Sequence, residues 1–183
     1  ATTALAVAWP VGAAARAELR ATRFEDRIEQ NQSADFLRTS RDSLDAQVDW
    51  RWTPRQALGA GAMISDEQAS SEGYGERMRA DTRQLNLFVQ DRIESGAHRA
   101  LAALGYTDHE TAGDAVTGNL EYGYTLAGGT LLYGLAGSGF RAPDATDRYG
   151  FGGNPDLEPE RSRNFEVGVR HRFAGRHSVS LSA

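Results

Sequence analysis

The side chains able to do chemistry in this sequence are few, and their spacing argues against catalysis. The four histidines are His98, His109, His171 and His177, and no two stand four apart as a helical zinc pair would. His109-Glu110 has no second histidine at metalloprotease spacing, so these histidines read as polar strand-end and loop surface. Asp66, Glu67, Glu72 and Glu76 gather with Gly73 and Gly75 in what reads as a long loop. Their hard oxygens could take calcium, but the EF-hand spacing is absent and a solvated acidic loop is the better reading. Gly59-Ala60-Gly61 and Gly150-Phe151-Gly152-Gly153 do not sit between a strand and a helix start, so neither is a phosphate cradle. Gly137-Ser138-Gly139 is too short for a nucleophile elbow. Cysteine is absent, which removes disulfides and thiolate chemistry. The sequence thus offers no catalytic set, no metal set and no cofactor, and it does not read as an enzyme.

Composition narrows the partners. Lys and Arg number 20 against 25 acidic residues, the two signs are interspersed, and no basic stripe for nucleic acid appears. No apolar run approaches the roughly 20 residues that a membrane-spanning helix needs. A membrane barrel stays open, because its strands show lipid only every second side chain. The alanine-rich opening from Ala1 to Ala17 has no basic leader and is interrupted at Pro10 to Gly12, so it reads as a strand and turn instead of a signal-peptide remnant.

The elements that must position these residues are strands. From Ser43 to Trp52, Leu44, Ala46, Val48, Trp50 and Trp52 alternate with Ser43, Asp45, Gln47, Asp49 and Arg51. That period of two gives one apolar and one polar face. The pattern returns at Leu120, Tyr122, Tyr124 and Leu126, at Leu85, Leu87, Val89 and Ile93, and at Phe165, Val167, Val169 and Phe173. Asp91 falls in register with Leu87 and Val89, on the apolar face. Helical spacing fits none of these stretches.

Connections alternate in kind. Short turns are expected at Pro10–Gly12, Thr53–Gln56, Glu94–Ala97, Ala127–Gly129 and Ala174–His177. Long polar links are expected at Asn31–Phe36, Asp66–Arg79, Asp108–Ala115 and Arg141–Arg163. About ten strands follow, in an all-β, antiparallel up-and-down meander. Short turns at one end and long loops at the other match bacterial outer-membrane barrels, whose short turns are periplasmic. Trp50, Trp52, Tyr122, Tyr124, Tyr133 and Phe173 all lie near short turns and read as an aromatic girdle at the lipid–water boundary. A small β-barrel binding module, soluble or membrane-bound and without a plug, shares the alternation. Long strands and alternating loop lengths favour the membrane.

The longest loop carries a specific signal. Phe140-Arg141-Ala142-Pro143, then Asn154-Pro155, Leu157, Pro159 and Glu160, then Glu166 and Gly168, resembles a stretch of TonB-dependent outer-membrane receptors, and the chain as a whole is similar to their cobalamin and siderophore receptors. Physically, Pro143, Pro155 and Pro159 fix φ and remove donors, so the motif reads as architectural, marking where strands leave and rejoin a barrel near Arg163. The resemblance implies a barrel of about 22 strands filled by an N-terminal plug. It also implies outer-membrane lipid, a small-molecule nutrient such as cobalamin or a ferric siderophore, and the TonB complex as partners. Inward polar residues such as Asp45, Asp49, Asn119, Glu121, Glu166 and Arg170 would line the lumen. No plug-like segment is visible within the sequence, so residues 1–183 read as one internal barrel segment whose two edges need partners.

Overall fold

In the computed structural model, which describes residues 1–173 and 177–183, period-two patterning has become one antiparallel meander. Its strands are β1 (Thr2–Val11), β2 (Ala15–Glu29), β3 (Phe36–Thr53), β4 (Gln56–Gly73), β5 (Glu76–Ser95), β6 (His98–His109), β7 (Gly113–Thr125), β8 (Thr130–Arg141), β9 (Glu160–Arg172) and β10 (Ser178–Ser182). Each pairs with its neighbours in sequence, and the sheet runs from β1 to β10 without closing on itself. A single turn of helix, α1 (Ala145–Tyr149), lies between β8 and β9.

Two of the four expected long loops are strand instead. Asp66 and Glu67 lie on β4, and β4 and β5 pair continuously to Gly73 opposite Glu76, leaving Tyr74 and Gly75 as the whole turn. Both turn residues have positive φ, 52° and 84°, as a two-residue turn matched to strand twist requires. The acidic residues are held by cross-strand cations: Asp66 by Arg83 at 2.9 Å, Glu72 by Arg77 at 3.0 Å and Glu67 by Arg41. No calcium loop forms there. Asp108 to Ala115 likewise shrinks to residues 110–112, because β6 and β7 pair as far as His109 opposite Gly113. Charged side chains do not end a strand that stands in water, and polarity alone misplaced both boundaries. Pairing after the longest loop restarts at Glu160, three residues before the expected Arg163, where Arg141 and Glu160 pair across its neck. The expected turn at Ala174–His177 falls on residues 174–176, outside those described.

Register fixes the faces. Trp50 pairs with Leu58, Leu58 with Asp91, Asp91 with Ala102, Ala102 with Leu120, Leu120 with Ala136 and Ala136 with Phe165. This row belongs to the face that carries Leu5, Val7, Trp9, Leu44, Val48, Leu87, Val89, Leu104, Val116 and Val167, all exposed. The opposite face carries Asp45, Asp49, Gln90, Asn119, Glu121, Glu166 and Arg170. Among the described residues the buried hydrophobic side chains are few, Ala17, Ala69, Met78, Ala115, Leu131 and Ala145, because a single sheet has its apolar surface outside.

The slope of the apolar band gives the strand tilt. Its aromatic edge is two residues from the Trp50–Phe165 row on β3, at Trp52, and eight residues from it on β9, at Phe173. Six residues at about 3.3 Å against six strand spacings at about 4.8 Å give a tilt of roughly 35°, within the range of outer-membrane barrels.

Candidate functional site

The two faces do different work. On the outer face, Trp50 and Trp52 meet edge to face with centroids 5.9 Å apart, and His98 binds the Tyr122 hydroxyl through Nδ1 at 2.6 Å while packing on Tyr124 at 4.8 Å. His171 stands edge-on to Phe173 at 4.5 Å. Histidine therefore joins the aromatic edge at two places. Tyr133 does not belong with these rings: it pairs opposite Gly168 and Gly123, on the inner face. Its ring fills the space where a Cβ of residue 168 would lie, and its hydroxyl donates to Glu166 Oε1 at 2.9 Å. One inward tyrosine thus accounts for both the glutamate and the glycine of the Glu166-Val167-Gly168 stretch. Phe88 covers Gly61 in the same way on β4 and β5. Proximity to a turn draws Tyr133 into the girdle by sequence, and its parity with Leu131 and Leu135 points the same way; only its register opposite Gly123 and Gly168 turns it inward.

At the long-loop end, the inner wall meets the loop that carries the motif. Phe140 and Arg141 end β8, and Asp144 caps α1 by accepting from the Asp147 N–H at 2.8 Å. Ala145 then packs on Ala69, Met78 and Ala80, a small apolar seat on the inner face of β4 and β5. Arg148 fastens the arrangement, donating to the Thr111 carbonyl at 2.7 Å and, through Nη2, to the Pro155 carbonyl at 2.6 Å. Asn154 closes the return, its Oδ1 accepting from the Asp156 N–H at 3.0 Å and its carbonyl from the Leu157 N–H at 3.1 Å. Pro159 immediately precedes β9. At the tip, Phe151 stacks on Tyr74 of the β4–β5 turn with centroids 4.8 Å apart. The loop is folded over the inner wall, with Asn154, Pro155 and Leu157 of the motif in its hydrogen bonds and Arg141 and Glu160 paired at its neck.

Beneath it lies a cavity of about 330 Å³, lined by Arg41, Glu67, Gln84, Asn86, Thr107 and His109 on the wall and by Phe140 to Ala145, Arg148 and Tyr149 of the loop. Asn86 Oδ1 accepts from Gln84 at 2.9 Å and from Thr107 at 2.8 Å, leaving its Nδ2 buried without an acceptor among the described residues. His109 stands above the apolar band, at the level where Asp66, Arg83, Asp108 and Asp114 face outward. Its burial, and secondarily Arg148, hold its imidazole below the ordinary range. The lining is mixed in charge and rich in hydrogen-bonding groups, with the Thr111 hydroxyl 3.4 Å from His109 Nδ1. Among the described residues no cluster of His, Asp or Glu could hold a metal ion. Among the described residues no helix is long and apolar enough to cross a membrane.

Known proteins place this architecture. The chain is 30% identical over 137 residues to a vitamin B12 transporter BtuB of Vibrio vulnificus strain YJ016, covering 73% of this chain and 22% of that protein. It is 26% identical over 140 residues to a vitamin B12 transporter BtuB of Photobacterium profundum, covering 75% and 23%. Among solved structures, the siderophore receptor PirA from Pseudomonas aeruginosa superposes with a TM-score of 0.78 at 20% identity, covering 99% of this chain and 37% of that one. PirA from Acinetobacter baumannii gives 0.75 at 16%, with 99% and 33% covered. These structural likenesses establish the fold, and the chain spans about a fifth of the length of its curated relatives. The profile of the TonB dependent receptor-like β-barrel family matches residues 7–183, and the chain belongs to that family of bacterial outer-membrane barrels.

Proposed function

We propose that this chain is part of the barrel of an energy-coupled outer-membrane receptor that imports a bulky nutrient, with cobalamin the foremost cargo. The observation that carries the reading is the loop of α1, which folds inward over a polar, hydrogen-bonding wall while the outer face is left apolar. A wall of that kind serves solutes and a plug passing inside the barrel, and Asp45, Asp49, Asn119, Glu121, Glu166 and Arg170 supply its contacts below the cavity. The motif from Phe140 to Glu160 is the hinge and clasp of the loop, an architectural role supported by the bonds of Asn154 and Arg148. Trp50, Trp52, Tyr122, Tyr124 and Phe173 anchor the barrel at the periplasmic lipid boundary. Cobalamin stands ahead of ferric siderophores because vitamin B12 transporters are among the relatives that align by sequence, whereas the siderophore receptors support the fold.

Uptake of labelled cobalamin by the native host, with and without the gene and with and without TonB, tests this directly. Uptake should fall to background in both deletions. Uptake that needs the gene but survives loss of TonB would overturn energy coupling and favour a passive binding barrel. Uptake of ferric siderophores alone would reassign the cargo and keep the transporter.

A further inference from the structure

The row of partners from Trp50 to Phe165 is apolar except at one place. Asp91 stands in its middle, on the lipid-facing side, between Leu58 and Ala102. The strand tilt puts it about 10 Å above the aromatic edge, well inside the apolar band. An ionisable group at that depth needs a partner. Gln56, at the periplasmic end of β4, gives half of one: its Nε2 donates to Asp91 Oδ2 at 2.6 Å and draws the carboxylate toward the boundary. Oδ1 is closed off from solvent and meets no donor among the described residues. Buried oxygens left in that condition are rare.

From Asp91 toward the membrane centre runs a groove in the outer face. Its floor is made by Ala102 and Gly118, and its sides by Val89, Leu104 and Leu120. Small residues on β6 and β7 open it between larger neighbours. A carboxylate with a spare acceptor at the lower end of an apolar channel is complementary to one kind of membrane component: a lipid with a primary ammonium in its headgroup and an acyl chain above it.

We propose that Asp91 and Gln56 hold the ammonium of an aminophospholipid from the periplasmic leaflet, with one acyl chain lying over Ala102 and Gly118. The carboxylate turns Oδ1 into the groove and accepts from the ammonium, while Gln56 keeps Oδ2 in place. A quaternary ammonium, which has no N–H, cannot complete this arrangement, so the site separates ethanolamine from choline headgroups.

Native mass spectrometry of the intact receptor, stripped of lipid in detergent and titrated with phosphatidylethanolamine or phosphatidylcholine of matched chains, reads the site. Wild type should retain the ethanolamine lipid about tenfold more tightly than the choline lipid, the ratio expected for one charge-assisted hydrogen bond. Asp91→Asn should bring the two to parity while the heat-modifiable gel shift of the folded barrel is unchanged. Equal retention of both lipids by wild type overturns the proposal, even if the variant does not fold. An ethanolamine excess that survives in a folded Asp91→Asn receptor overturns it as well.

Discussion

Tyr133 shows how one side chain can explain two others. Its ring occupies the space over Gly168 and its hydroxyl reaches Glu166, so the glycine is needed for want of room and the glutamate for a partner. Gly168→Val would drive the ring off the wall and break the hydroxyl bond, an overpacking cost of about 1–3 kcal/mol. Tyr133→Phe keeps the ring and loses the bond alone, about 1 kcal/mol. Urea unfolding of the lipid-embedded receptor, followed by tryptophan fluorescence, should rank the variants in that order. Equal losses would mean that ring placement over Gly168 contributes nothing. Tyr133 also marks a limit of sequence reading. Nearness to a turn suggested a boundary aromatic, and only register with Gly123 and Gly168 assigns its face.

At the scale of elements, the strands were legible because apolar and polar residues alternate, and the turns because glycine and proline punctuate them. The upper hairpin was not legible. Once β4 and β5 leave the membrane neither face need be apolar, so Asp66, Glu67, Glu72 and Glu76 looked like loop while ladder hydrogen bonds and ion pairs with Arg83, Arg41 and Arg77 kept them in strand. That extension has a use: it carries Ala69, Met78 and Ala80 upward as a seat for Ala145. The cavity depends on this docking, and nothing in the spacing of Arg41, Asn86 and His109 pointed to it. They lie on separate strands and meet through register. Filling the seat should therefore lift the loop without harming the barrel. Ala145→Leu is expected to speed proteolytic cleavage near Phe151 severalfold, with the gel shift of the folded barrel unchanged; destabilisation should be confined to the loop, at about 1–3 kcal/mol. Unaltered cleavage would mean that α1 is held by Arg148 alone.

For the molecule as a whole, the assignment of faces makes the sharpest demand. Neighbouring residues on β5 answer to different solvents: Val89 lies in the apolar band and is half exposed to lipid, while Gln90 faces the polar interior beside Gly59. In a soluble barrel the same alternation would be inverted, with Val89 turned to a core and Gln90 to water. Arginine placed at each position separates the two arrangements. Val89→Arg puts a guanidinium near mid-membrane and should cost about 2–4 kcal/mol of folding free energy in lipid. Gln90→Arg meets a polar wall and should change stability by less than about 1 kcal/mol, within the range of surface ion pairs. Reversible urea titration of the receptor into phospholipid vesicles gives both values on one scale. The membrane reading requires the lipid-facing variant to lose the more, and requires the difference to shrink when the same arginine is moved upward to Arg83's level, where charge already faces outward and pairs with Asp66. A larger loss at Gln90 than at Val89 would turn the sheet inside out and remove the basis for a lumen, and with it the path by which a nutrient could pass.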